Sequence, residues 1–122
     1  MCNHVCALSC TKTAKISIFD LEDSYFPPFR KMVEAGGAGY MCSYPALSAF
    51  SDINLTQPFQ LFGEPVLSQP SCGSKFLKWV MRDVWGFRGF VESDCGAVQQ
   101  TRTTHHFTDT EPEAVAAALN FG

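Results

Sequence analysis

The stretch "GFRGFVESDCGAV", residues 86–98, places a short apolar run between a glycine-bounded turn and the polar triplet Glu92-Ser93-Asp94. Apolar residues bounded by turn formers predict a short buried strand that ends on Asp94. Ser and Asp often cap the helix that follows a strand, because their side-chain oxygens accept hydrogen bonds from unpaired backbone N–H groups. The other interpretation is that the carboxylate carries out chemistry, and the rest of the chain must decide between the two.

Composition predicts a soluble globular protein that forms one domain or part of one. The 122 residues are 46% hydrophobic and carry nine basic against twelve acidic side chains, a net charge of −3. Because the charges are scattered, they provide no basic surface for nucleic acid or an anionic membrane. The apolar stretches are shorter than the roughly 18–20 residues that span a bilayer, and no signal peptide is visible in residues 1–10.

Cysteine and histidine residues raise the question of a metal site. Cys2, Cys6 and Cys10 recur every four residues with His4 between them, but they lack the paired C-x2-C spacing of common zinc sites. The adjacent residues His105 and His106 would both have to face one ion to bind it, so a solvated loop or a contact with substrate at the rim of a site is favoured for them. We expect no metal. The six cysteines leave the cellular compartment open.

Periodicity predicts three helical regions. Residues 20–35 have helical spacing that prolines at 27 and 28 interrupt, so we expect a short helix to Phe26 and a second one from near Pro28 to Gly36-Gly37. Ser74 is the predicted N-cap of a helix that ends at Gly86. A third helix begins at residues 111–113.

The strands predict the fold class. Residues 39–44 form a second short apolar strand, whereas residues 45–70, with four prolines, predict a loop or insertion. The order helix, strand, helix, strand, helix indicates an α/β fold with parallel strands and right-handed crossovers. In such folds ligands bind at the C-terminal ends of strands, where Tyr44 and Asp94 are expected. Because two strands do not make a stable sheet, the chain is predicted to be part of a larger domain.

Five motifs in order resemble segments of the N-terminal barrel domain of family 3 glycoside hydrolases, most closely the β-xylosidase/β-glucosidase-like branch. The motifs are "DLEDSYFPPFRKMVEAG", "MCSY", "PSCGSKFL", "RDVWGFRGFVESDCGAV" and "EPEAVAAALNFG". The resemblance covers about residues 15–44 and 65–122. It implies a partial (β/α)₈ TIM barrel, incomplete as it stands, made of about the later strands and helices.

The resemblance also implies roles for individual residues. Asp94 matches the catalytic nucleophile of a retaining glycosidase, which needs an ionised carboxylate beneath the anomeric carbon. Tyr44 matches a tyrosine beside that nucleophile and is a candidate substrate-binding residue; the alternative is a barrel tyrosine whose hydroxyl merely finds a partner. Glu92 is left unassigned, because the family takes its acid/base residue from a later domain, beyond Gly122.

The resemblance implies an O-glycosyl hydrolase that acts on terminal β-xylosides or β-glucosides of plant cell walls without a cofactor, in a secreted parent protein. It allows a Cys42–Cys72 disulfide in such a parent. Residues 1–14 and about 46–62 have no counterpart, and the second segment is a candidate translated intron that contains the sequon Asn54-Leu55-Thr56. The alternative function is a non-catalytic truncated product or pseudo-enzyme that binds sugar weakly.

Overall fold

The computed structural model describes residues 12–121, which form a mixed α/β structure. None of the helices in this part of the chain is both long and apolar enough to cross a membrane. The strands are β1 (Thr13–Ser17), β2 (Gly39–Cys42), β3 (Ala46–Phe50), β4 (Gln60–Leu61), β5 (Glu64–Pro65), β6 (Gln69–Pro70) and β7 (Phe90–Ser93). The α-helices are α1 (Ile18–Asp20), α2 (Phe26–Glu34), α3 (Lys75–Lys78), α4 (Ala97–Thr103) and α5 (Glu111–Phe121). Leu21–Tyr25 and Trp79–Val84 are π-helical, and Ser71–Gly73 forms a 3₁₀ turn.

The strands form three small sheets. Strand β3 lies between β1, to which it is parallel, and β6, to which it is antiparallel. Strands β2 and β7 form a separate parallel pair, and β4 and β5 form a short antiparallel pair. The predicted parallel pairing of the two motif-bearing strands is therefore confirmed. The prediction that the second of them is buried is wrong: β7 is largely exposed, because its sheet has two strands in the described residues.

The prediction that residues 45–70 form a loop is wrong for β3. All five residues of this strand are buried, because both of its edges are paired and its faces are covered. A strand buried on both faces shows no alternation of polar and apolar residues, so its sequence carries no period-two signal. Strand β1 was missed for a related reason, since its sequence TAKIS shows too short a pattern to stand out.

The predicted break at Pro27-Pro28 is also wrong, because the chain stays helical from residue 18 to residue 34. The N–H of Phe26 donates to the carbonyl of Leu21, five residues back, so a π turn precedes the prolines. Both prolines then fall in the first turn of α2, where the missing N–H groups cost no hydrogen bond of that helix. Ser17 is the N-cap of this helical segment, and its Oγ accepts from the Asp20 N–H at 3.0 Å.

The predictions for the second and third helical regions are confirmed. Ser74 caps α3, with its Oγ accepting from the Leu77 N–H at 3.1 Å. The helical segment runs on to Val84 and is followed by Gly86 at φ +71°, a left-handed conformation that glycine adopts without strain. Helix α5 begins at Glu111 as expected.

Two apolar clusters hold the elements together. The larger cluster joins the β1–β3 sheet to the helices and contains Ile16, Leu21, Phe26, Leu47, Ala49, Leu61, Val66, Phe76, Leu77 and Val80. The smaller cluster consists of Tyr40, Met81 and Phe87 and lies between the β2–β7 pair and the helices. The Tyr40 hydroxyl donates to the Phe29 carbonyl at 2.6 Å, so this buried polar atom is satisfied.

Tyr40 makes stability depend on alkaline pH. Burial raises the pKa of the Tyr40 hydroxyl from 10.0 to about 12. The pKa of Tyr40 is higher in the folded protein than in the unfolded one. Its contribution to the unfolding free energy is therefore fully present below pH 10 and is lost as the pH rises from 10 through 12. Tyr40→Phe should cost about 1 kcal/mol at neutral pH by removing the hydrogen bond.

Chemical denaturation at a series of pH values tests this expectation. The difference in unfolding free energy between the wild type and Tyr40→Phe should shrink between pH 10 and 12. Because both proteins share every other titrating group, the difference isolates the Tyr40 hydroxyl. A difference that stays constant up to pH 12 would contradict the assignment.

Candidate active site

The candidate site lies at the C-terminal edge of the β2–β7 pair. Cys42 is opposite Ser93 at the end of the register, and the Asp94 N–H continues the ladder by donating to the Cys42 carbonyl at 3.0 Å. Because the strands are parallel, the residues that follow them emerge at the same edge. The structure therefore brings Tyr44 and Asp94, which are separated by fifty positions in the sequence, to one end of the sheet.

The Asp94 carboxylate is partly exposed and held by its own turn. Its Oδ1 accepts from the Cys95 N–H at 2.7 Å, and its backbone carbonyl accepts from Ser93 Oγ at 2.7 Å. The helix that follows is not capped by Ser93 or Asp94: its N-cap is Gly96, at φ +77°, and no side chain bonds to the first turn. Helix capping therefore does not explain this aspartate.

Tyr44 bridges two other segments. Its hydroxyl donates to the backbone carbonyl of Cys95, directly beside Asp94, at 2.8 Å. Its own carbonyl lies 2.6 Å from Nε2 of His105, in the loop after α4. The sequence favours a solvated loop or a contact with substrate at the rim of a site for His105, over a metal ligand; no local signal could have identified this contact, since the two residues are 61 positions apart.

The turn after β2 is held from the opposite side by the 3₁₀ turn. The Ser43 N–H donates to Ser71 Oγ at 3.0 Å, and the Ser71 N–H donates to the Pro45 carbonyl at 3.1 Å. A disulfide joins Cys42 to Cys72, the pairing that the family resemblance allows in a secreted parent. Three bonds thus fix the segment that carries Tyr44, and each restricts a different residue.

Glu92 lies on the face of the β2–β7 pair that points away from the helices. Val91 packs on the cluster of Tyr40, Met81 and Phe87, so the alternation of the strand places Glu92 on the other face. The side chain is exposed, and so is Phe90, at 59%, on the same face. A carboxylate that is open to solvent here gives Glu92 no defined role, and it stays unassigned.

Within residues 12–121, no group of three histidine, cysteine or acidic side chains is arranged to hold a metal ion. The Cys2, Cys6, Cys10 and His4 cluster considered above lies outside the described residues. Of the three cysteines in the described part, Cys95 has a free thiol, which is exposed next to Asp94.

The sequence matches the model of the glycosyl hydrolase family 3 N-terminal domain over residues 3–122. The chain belongs to this family. Among its relatives are an exo-1,4-beta-xylosidase of Emericella nidulans, 38% identical over 114 residues, and a probable beta-D-xylosidase of Arabidopsis thaliana, 32% identical over 111 residues. A beta-xylosidase/alpha-L-arabinofuranosidase of Medicago sativa is 33% identical over 113 residues.

The glycosyl hydrolase domain matches only a small part of each relative. The alignments cover 89% of this chain for the first two relatives and 92% for the third, but 12% of the length of each of them. The boundaries of the unmatched segments 1–14 and 46–62 stay predictions. The match establishes the family. The activities in the relatives' names belong to proteins about eight times longer than this chain.

The disulfide should contribute strongly to stability. It closes a loop of 30 residues, for which the loss of chain entropy in the unfolded state predicts roughly 3–4 kcal/mol. The double variant Cys42→Ala/Cys72→Ala should therefore lose about that much unfolding free energy in chemical denaturation. Cys95→Ala is the matched control and should change it by less than about 0.5 kcal/mol, because that side chain is exposed. Non-reducing peptide mapping that finds both thiols free would contradict the assignment.

Proposed function

We propose that this chain is the nucleophile-bearing part of a retaining β-glycosidase that hydrolyses terminal β-xylosides or β-glucosides, with Asp94 as the nucleophile. The observation that carries the proposal is the parallel β2–β7 pairing, which puts Asp94 at a strand end beside the Tyr44 turn. A strand end is a rigid position, and the C-terminal edge of parallel strands is where α/β folds bind ligands. Membership of the glycosyl hydrolase family supports the reaction class.

The chemistry follows from the geometry of a carboxylate on a fixed turn. One Asp94 oxygen attacks the anomeric carbon, the bond to the leaving-group oxygen breaks, and an acid residue protonates that oxygen. Water then cleaves the glycosyl–aspartate ester, and the residue that acted as the acid in the first step now acts as the base. The Cys95 N–H bonded to Oδ1 orients the carboxylate, which leaves the other oxygen to attack. The mechanism needs no metal or organic cofactor.

Tyr44 is proposed to line the substrate site next to the nucleophile. Its hydroxyl bonds to the carbonyl of Cys95, so the ring is held against the turn that carries Asp94. The alternative role, a tyrosine that only satisfies its own hydroxyl, predicts no effect of the ring on substrate binding. The acid/base residue is proposed to come from a later domain, as in the family that the motifs resemble.

The preferred substrate is a β-xyloside, and a β-glucoside is the alternative. The relatives named above are xylosidases by name, which favours the smaller sugar. We propose that the parent protein completes a (β/α)₈ barrel, of which β2 and β7 are neighbouring strands. We also propose that the parent is secreted, since disulfides such as Cys42–Cys72 persist in oxidising compartments.

In a full-length enzyme that carries these residues, Asp94→Asn should abolish turnover and preserve the fold. The amide keeps the volume of the side chain and loses the charge required for attack on the anomeric carbon. The measurement is the rate of aryl β-xyloside hydrolysis together with the unfolding midpoint. Glu92→Gln, which makes the same change on β7 two residues earlier, is the matched comparison. A fluorinated glycosyl inactivator should label Asp94, and a label on Glu92 would show that the wrong carboxylate was chosen.

The 122-residue chain by itself should not hydrolyse glycosides. A retaining mechanism requires two carboxyl groups about 5–5.5 Å apart, and the chain spans only about 12% of its relatives. Its rate on aryl β-xylosides and β-glucosides should equal that of an Asp94→Ala control. The absence of hydrolysis by the short chain is also expected for the second candidate function, a non-catalytic product with weak sugar binding. The Asp94→Asn experiment in the longer enzyme separates these two candidate functions. Turnover that disappears in the control would contradict the prediction.

A further inference from the structure

The loop between α4 and α5 delivers a histidine to the turn after β2. Nε2 of His105 lies 2.6 Å from the Tyr44 carbonyl oxygen, and the ring is partly buried. A carbonyl oxygen only accepts hydrogen bonds, so the proton of this contact must be on Nε2. No part of the proposed reaction uses this histidine directly, and none of the motifs that indicated the family includes it.

The loop is held firmly enough to place that ring. Glu113 Oε2 accepts from the N–H groups of Asp109 and Thr110, at 3.1 and 2.9 Å, which fixes the end of the loop at the start of α5. Arg102 Nε donates to the Asp109 carbonyl at 3.0 Å. At the start of the loop the His105 N–H donates to the Gln100 carbonyl at 3.1 Å.

Two hydrogen bonds in series therefore connect His105 to the nucleophile turn. The first runs from the imidazole to the Tyr44 carbonyl, and the second from the Tyr44 hydroxyl to the Cys95 carbonyl. Cys95 in turn donates its N–H to the Asp94 carboxylate at 2.7 Å. The first hydrogen bond joins the His105 loop to the Tyr44 turn, and the second joins the Tyr44 turn to the Cys95 turn. A shift of the Tyr44 turn would therefore alter the turn that orients Asp94.

We propose that His105 is a positioning residue of the candidate site: by donating Nε2–H to the Tyr44 carbonyl, it holds the turn after β2 so that the Tyr44 hydroxyl supports the Asp94 turn. The inference rests on the proposed glycosidase function. His105 touches neither the nucleophile nor the reacting atoms, so its effect is on geometry. The alternative, a histidine that only packs the loop, predicts that any side chain of similar size is equivalent.

A matched pair of variants in a full-length enzyme that carries these residues tests the donor. His105→Met keeps an unbranched side chain of similar length without a donor, whereas His105→Gln restores an N–H group. Loss of one hydrogen bond should lower kcat of the Met variant roughly threefold to tenfold, because the Asp94 carboxylate acts in the chemical step, and should also raise KM, because the Tyr44 turn is proposed to line the substrate site. The Gln variant should recover most of kcat. Equal kcat values for the two variants would overturn the proposal.

His106→Asn is the control on the neighbouring residue. His106 is exposed and has φ +49°, a left-handed conformation that asparagine tolerates. This variant should keep the wild-type kcat. A loss as large as that of His105→Met would show that the loop as a whole, and not the donor, is responsible, and would also overturn the proposal.

Spectroscopy on the same enzyme gives a result that does not depend on turnover. With 3-fluorotyrosine incorporated at position 44 alone, the ¹⁹F signal should move in His105→Met and return towards its wild-type position in His105→Gln. In the unmutated enzyme labelled with ¹⁵N-histidine, the His105 proton should be on Nε2; a neutral ring with its proton on Nδ1 would overturn the proposal even if His105→Met failed to fold. Should Asp94→Asn remain active, the proposed nucleophile would be wrong, while these signals would still decide the His105 contact.

Discussion

The parallel pairing of β2 with β7 is the interaction on which the candidate site depends. Its register sets Tyr40 beside Val91 and Cys42 beside Ser93, and its last hydrogen bond runs from the Asp94 N–H to the Cys42 carbonyl. Side chains alternate along a strand, so a slip of one residue would turn the helix-facing set towards solvent. The same slip would move Asp94 away from the Tyr44 turn. Burial on one face therefore specifies the geometry at the strand ends.

The two faces of the β2–β7 pair differ in burial and polarity. The face towards the helices is apolar and buries Tyr40 against Met81 and Phe87, which anchors both strands. The opposite face presents Glu92 and the largely exposed ring of Phe90. Beyond the strand ends, the backbone is fixed by bonds that come from three separate loops and by the Cys42–Cys72 disulfide. Long-range contacts thus make the candidate site rigid, so the Asp94 carboxylate is not needed to hold the backbone in place.

Local signals predicted some elements well and failed for identifiable reasons. The helix that starts at Ser74 and the one at Glu111 have a capping residue and helical spacing, which act within a few residues. The break expected at Pro27-Pro28 did not occur, because a π turn shifted the prolines into a first turn. Strand β3 was missed because its hydrogen bonds come from β1 and β6, which are distant in sequence.

The sequence by itself predicted one short strand over residues 39–44 and another that ends on Asp94, which the structure ends at Cys42 and Ser93, and it placed both in motifs of one hydrolase family. These properties depend on residue order and on short-range turn and strand preferences. Only the tertiary structure decided that Asp94 does not cap the next helix, that Cys42 pairs with Cys72, and that His105 reaches the Tyr44 carbonyl. The disulfide and the His105 hydrogen bond join residues 30 and 61 positions apart, and they exist because burial of the apolar faces brings the loops together; no local pattern encodes them.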